Sequence, residues 1–100
     1  MRISNHERSA IVKSVKNVDE SAKVWLFGSR VDNAKKGGDI DIAVLSDKIN
    51  RIQKYHIKYA IEKEIGLQKI DIVVSKDLKK PFFSYAVSQG VRLDEQKTDS

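Results

Sequence analysis

The sequence predicts a small α/β domain of α+β type: a mixed sheet of three to four strands with helices mainly on one face. Three observations carry this reading. Apolar residues recur at helical spacing in two stretches, Ile11, Val12, Val15, Val18 and later Ile57, Ala60, Ile61, Ile65. Short β-prone runs, Lys23 to Phe27, Asp39 to Leu45 and Leu67 to Val74, fall between and after them. Glycine or serine marks most of the boundaries, at Gly28, Gly38, Ser46, Gly66, Ser75 and Gly90.

The first helix is expected over residues 5–21. Ser4 and Glu7 have the spacing of a capping box, with Ser4 as cap and Glu7 reaching back to it. A strand follows and ends at Gly28. Residues 29–38 are polar and basic, with little to bury, so they read as a loop holding at most a turn of helix. Gly37 and Gly38 give that loop the freedom to re-enter the sheet. Ser46 or Asp47 is the expected cap of a second helix from about 48 to 65. Its buried stripe is read as Ile49, Ile52, Ile57, Ala60, Ile61 and Ile65, with Tyr55 and Tyr59 on a flanking face and Gly66 closing it. The third strand is rich in β-branched residues, and Ser75 offers another cap. Pro81 fits the first turn of a short helix that Gly90 ends. Val91, Arg92 and Leu93 then add a short edge strand. A polar tail opens at Asp94 and is expected to fray, from there or from about residue 95. Residues 1–100 thus read as one domain without repeats or linkers.

One hundred residues allow one modest core, burying about 60–65% of the surface the unfolded chain exposes. No apolar run approaches the roughly 18–20 residues of a membrane span, and the amino terminus carries no hydrophobic signal segment. Cysteine is absent, which removes disulfides and cysteine-ligated zinc. A cytoplasmic location is the default expectation. The formal charge of +5, from 19 Lys and Arg against 14 Asp and Glu, favours anionic partners such as nucleotides. The basic residues are scattered rather than massed, so nucleic acid is permitted and not required.

The chemistry lies in three carboxylates. Strand side chains alternate between faces, so Asp39 and Asp41 share one face while Ile40 and Ile42 enter the core. Asp71 sits between Ile70 and Ile72, which turns it to the face opposite that core. If the third strand neighbours the second, all three carboxylates converge. Like charges so close raise one another's pKa unless a cation intervenes. Mg²⁺ suits such oxygens and fills its remaining positions with water and phosphates. Two metals between carboxylates are the arrangement of phosphoryl or nucleotidyl transfer.

Gly28 and Ser29 supply the other half. A glycine at a strand end lets a ligand approach the backbone, and Ser29 adds an N–H and a hydroxyl for a phosphate. Arg30, Lys35 and Lys36 give the following loop a positive charge suited to a triphosphate, although each also serves as an ordinary solubilising charge. Neither a Walker A loop nor a G-x-G-x-x-G fingerprint is present. His6 and His56 stand alone and lack ligand spacing. Trp25 reads as sheet packing. Phe82, Phe83 and Tyr85, with Tyr55 and Tyr59, are more aromatic surface than a small sheet hides, and part of this set is expected to meet another subunit.

Leu26-Phe27-Gly28-Ser29-Arg30, then Asp39-Ile40-Asp41-Ile42-Ala43-Val44, then Asp71-Ile72-Val73 resemble the minimal nucleotidyltransferases of the polymerase-beta-like superfamily. That signature is Gly-Ser, about ten residues, Asp-x-Asp, and a later strand carboxylate; the likeness spans residues 8–93. The resemblance implies that Gly28 and Ser29 hold the β,γ-phosphates of ATP. It further implies that Asp39, Asp41 and Asp71 bind Mg²⁺, as two ions, with Asp71 also helping to activate the acceptor hydroxyl. Small stand-alone members resemble the antitoxin half of toxin–antitoxin pairs, whose partner is a HEPN-domain ribonuclease toxin. Some of them neutralise that partner by adding AMP to a tyrosine. Two departures stand out: the spacer is nine residues, Arg30 to Gly38, and Gly38 occupies the position before the first Asp where Ser is common. Two other readings stay open, a non-catalytic module that occludes its toxin and a transferase acting on a small molecule or an RNA end.

Overall fold

The computed structural model describes residues 2–32 and 38–95. Helix α1 spans Asn5–Val18, and its start is the expected capping box: Ser4 Oγ accepts the Glu7 N–H at 3.0 Å and Glu7 Oε1 accepts the Ser4 N–H at 2.9 Å. The helix stops at Val18 rather than at residue 21. Asp19 leaves helical geometry (φ −142°, ψ 102°), and its buried carboxylate accepts the Ser46 hydroxyl at 2.5 Å and the Ser21 N–H at 2.9 Å.

Strand β1 is Lys23–Phe27, followed by a 3₁₀ turn over Gly28–Val31, and β2 is Ile40–Leu45. Helix α2 runs Arg51–Ile65, so it begins three residues later than expected. Its cap is Asn50, which forms a second capping box with Gln53; Ser46 is instead turned to Asp19 and to the Lys48 and Ile49 N–H groups. Ile52 is 65% exposed and does not belong to the buried stripe. Five residues separate it from Ile57, about 140° around the helix, so the two cannot share a face. Strand β3 is Ile70–Ser75; Leu67 lies before it and is exposed. Helix α3 is Pro81–Gln89 with Pro81 in its first turn, and β4 is the two-residue strand Val91–Arg92.

The four strands lie in the order β3-β2-β1-β4. β1 pairs antiparallel with both β2 and β4, whereas β2 and β3 are parallel. A parallel neighbour demands a crossover connection, which α2 supplies. Ile40, Ile42 and Val44 of β2 and Ile70 and Ile72 of β3 face α1 and α2, joining Ile11, Val15, Ile57 and Ile61 in the main core. The other sheet face is partly covered as well. Phe83 and Ala86 of α3 pack on Ala43, with Trp25, Phe27, Leu45 and Val73 around them. Two helices therefore cover one face and the third crosses the other, leaving the start of β2 and β3 bare.

The chain does not fray at Asp94. Its carboxylate side chain is 3% exposed and accepts the Val24 N–H at 2.9 Å, Arg92 Nε at 2.6 Å and Arg92 Nη2 at 3.0 Å. Leu93 is buried and donates its N–H to Val24 O at 2.8 Å, which locks this terminal segment to β1. The tail from residue 96 onward lies outside the described residues.

Candidate active site

Hydrophobic alternation is what aims the carboxylates. Ile40 and Ile42 are fully buried on the helix-covered face, so Asp41 between them points to the other. The same alternation acts on Asp71 between Ile70 and Ile72. Because β2 and β3 pair in parallel with Ile40 opposite Ile70, Asp41 falls directly opposite Asp71. Asp39 lies one residue before β2, held near the sheet by the Ile40 N–H bond to Lys69 O at 3.0 Å. That register brings together two of the three carboxylates expected to converge, Asp41 and Asp71.

Burial pushes the Asp41 carboxyl up, the charges of Asp71 and Asp39 add to the effect, and a side-chain hydrogen bond with Asp71 works the same way. The charge of Lys69 opposes it. Lys69 Nζ lies 3.5 Å from Asp39 Oδ2 in an exposed ion pair, which contributes little to stability. Among the described residues no group of three His, Cys, Asp or Glu side chains is arranged to hold a metal ion. The donor chemistry nevertheless fits a divalent cation. The oxygens are hard, carry like charges and lie on the part of the face that α3 leaves uncovered, so a cation there offsets both the burial and the repulsion that raise Asp41.

Gly28 takes φ +79°, and a Cβ placed on it would collide with Asp41 Oδ2. Gly38 takes φ +95°, and a Cβ there would collide with Ser29 Oγ. A serine before the first aspartate, common in the resembled signature, would have to displace the Ser29 hydroxyl and take a left-handed backbone. The Gly-Ser turn thus abuts both the carboxylates and the return of the chain to β2. Arg30 is drawn into this scaffold. Its guanidinium donates to Arg2 O at 2.9 Å, Gly38 O at 3.2 Å and Gln68 Oε1 at 3.3 Å. Arg2 in turn donates to Ser29 O and Asp32 O, each at 3.0 Å, and its N–H to Arg30 O at 2.7 Å. Arg30 as placed is a strut across the turn, with three of its donors occupied by protein acceptors. Lys35 and Lys36 lie outside the described residues.

Several contributors escaped the sequence reading. Lys69 was in view, two residues before Asp71, but its turn toward Asp39 depends on strand geometry. Arg2 comes from far along the chain. Phe27 and Phe82 meet edge to face, with ring centroids 6.0 Å apart and planes at 80°, at the side of the cluster. Trp25 packs as expected, with the Arg92 guanidinium 5.3 Å above its ring. Among the described residues no helix is long and apolar enough to cross a membrane.

A mixed α+β sheet with a glycine turn against strand carboxylates on its open face has the architecture of a nucleotidyltransferase core. A family model described as polymerase beta, nucleotidyltransferase matches residues 9–99, and the chain belongs to that family. The fold and the general capacity for nucleotidyl transfer follow from that membership. No curated protein matches the chain.

Proposed function

We propose that this chain is a Mg²⁺-dependent nucleotidyltransferase that moves AMP from ATP to a tyrosine hydroxyl of a HEPN-domain partner toxin, and so acts as its antitoxin. The observation that supports it most is the Asp41–Asp71 pair on the part of the sheet face that α3 leaves uncovered, with Gly28 against one carboxylate. Gly28 and Ser29 receive the β,γ-phosphates, where the turn brings backbone N–H groups close to the ligand without an intervening side chain. Asp39, Asp41 and Asp71 would hold Mg²⁺, as two ions, which supplies charge neutralisation for the phosphates and the departing pyrophosphate. Asp71 accepts the proton of the acceptor hydroxyl. That oxygen bonds to the α-phosphorus as the bond to the bridging α,β-oxygen breaks, leaving AMP on the acceptor and releasing pyrophosphate. The open face requires a partner to orient the hydroxyl and exclude water.

A second reading has its own observation. Ile52, Tyr55 and Tyr59 form an exposed stripe along α2, away from the carboxylates, as a binding module that occludes a toxin would have. One experiment separates the two. The purified chain is incubated with the product of the adjacent gene, Mg²⁺ and ATP, and intact masses are measured. A gain of one adenylate on the neighbour, lost with Asp39→Asn, supports transfer. A tight complex with unmodified neighbour under the same conditions supports occlusion and rejects transfer.

A further inference from the structure

An aromatic wall flanks the carboxylate cluster, and neither phosphate nor metal binding uses it. Phe27 ends β1 directly opposite Asp41, so its ring rises from the same sheet face one strand away. Phe82, in the first turn of α3, packs edge to face against it. In such a pair only one ring gives up a face, and only one of its two. Phe82 therefore keeps at least one π face open, in keeping with its 60% exposure. Tyr85, three residues on and also exposed, lies on the same flank of α3. Phe83 and Ala86 attach the helix to the sheet, so the core does not require the Phe82 ring.

We propose that Phe82 is the stacking platform for the nucleobase of the nucleotide substrate, with purines held better than pyrimidines. The inference rests on the nucleotidyl-transfer reading above. Directly opposed antiparallel residues have Cα atoms about 5 Å apart, and the Phe82 ring centre is a further 6.0 Å from that of Phe27. The platform therefore stands at the reach of a ribose and base from phosphates seated on the carboxylates. Base–aromatic stacking tolerates any base and grows with ring overlap, which gives a graded preference instead of strict selection. Phe27 steadies the platform from behind; it is a positioning residue.

Calorimetric titration of the whole chain with Mg²⁺ and ATP, CTP or tripolyphosphate tests this. The wild type should bind ATP more tightly than CTP or tripolyphosphate. Phe82→Ala should weaken ATP by about tenfold and leave tripolyphosphate unchanged, and Phe82→Trp should restore ATP. Phe82→Ala binding ATP as well as wild type, while Asp41→Asn weakens ATP and tripolyphosphate alike, overturns the platform and leaves the transfer reading intact. Equal loss of ATP and tripolyphosphate in Phe82→Ala also overturns it, since the ring would then act on the fold or the phosphates. A wild type that binds neither ligand overturns both readings.

Discussion

The α-carbon of Gly28 lies so close to Asp41 Oδ2 that even a methyl group cannot be inserted between them. The turn assigned to phosphate and a carboxylate assigned to metal are therefore one mechanical unit. Phe27, the residue before that glycine, pairs with Asp41 across the sheet and fixes their separation.

Gly28→Ala should separate the two functions this contact joins. The substitution meets two costs, a left-handed backbone worth about 1–2 kcal/mol and a collision with Asp41. Unfolding in urea should show that order of destabilisation. Nucleotide transfer should fall at least a hundredfold, because small misplacements of reacting groups are costly. Gly38→Ser should show a milder version, through displacement of Ser29.

Asp41→Asn should make the domain more stable and less active together. A carboxyl whose folded pKa is raised adds stability that is fully present below its unfolded value and is lost as pH rises from there through the folded value. At neutral pH its charge opposes folding. The neutral amide should therefore raise Tm in metal-free buffer while transfer collapses. Mg²⁺ should raise Tm for the wild type by mass action and leave the variant nearly unchanged. Thermal unfolding with and without Mg²⁺ reads both effects.

Asp94 contributes to the acid limb of stability. Burial alone would raise its carboxyl, but the Arg92 hydrogen bonds, the Val24 N–H and the Arg92 charge outweigh burial and hold it at about 2. A depressed folded pKa means stability present above the unfolded value near 3.8 and lost as pH falls toward 2. The contribution at neutral pH is about 2 kcal/mol. Asp94→Asn should remove it at pH 7 and flatten the stability profile between pH 4 and 2, measured by denaturant unfolding across that range.

What the sequence made legible was local pattern, and what it hid was pairing over distance. Asp41 and Asp71 were readable because each sits between two isoleucines, so alternation alone assigns their face; only strand adjacency had to be supplied. Asn50 and Gln53 repeat the spacing of Ser4 and Glu7, yet Ser46 and Asp47 stood nearer the preceding strand and competed for the cap. Asp94 was opaque. Its polarity suggests a loose end, and the groups that bury it, Val24 and Lys16, come from the first quarter of the chain. Arg30 likewise reads as a free phosphate ligand until Arg2 and Gln68 arrive beside it.

Ser46→Ala tests the other hidden pair. The Ser46 hydroxyl is the main cause holding the Asp19 carboxyl below its ordinary range. Its loss leaves that buried charge with the Ser21 N–H and with Lys48 4.0 Å away. Destabilisation of about 1–3 kcal/mol is expected. Transfer activity should be retained once folded, since Ser46 lies at the opposite end of β2 from Asp41. Urea unfolding beside an activity assay reads this.

The most direct test of the site is release of pyrophosphate from ATP by the chain with the proposed partner protein and Mg²⁺, compared between wild type, Asp41→Asn and Asp71→Asn. Stoichiometric release with adenylate appearing on the partner, abolished in both variants, is the predicted result. Undiminished release and labelling by both variants would contradict it and remove the paired carboxylates from the chemistry.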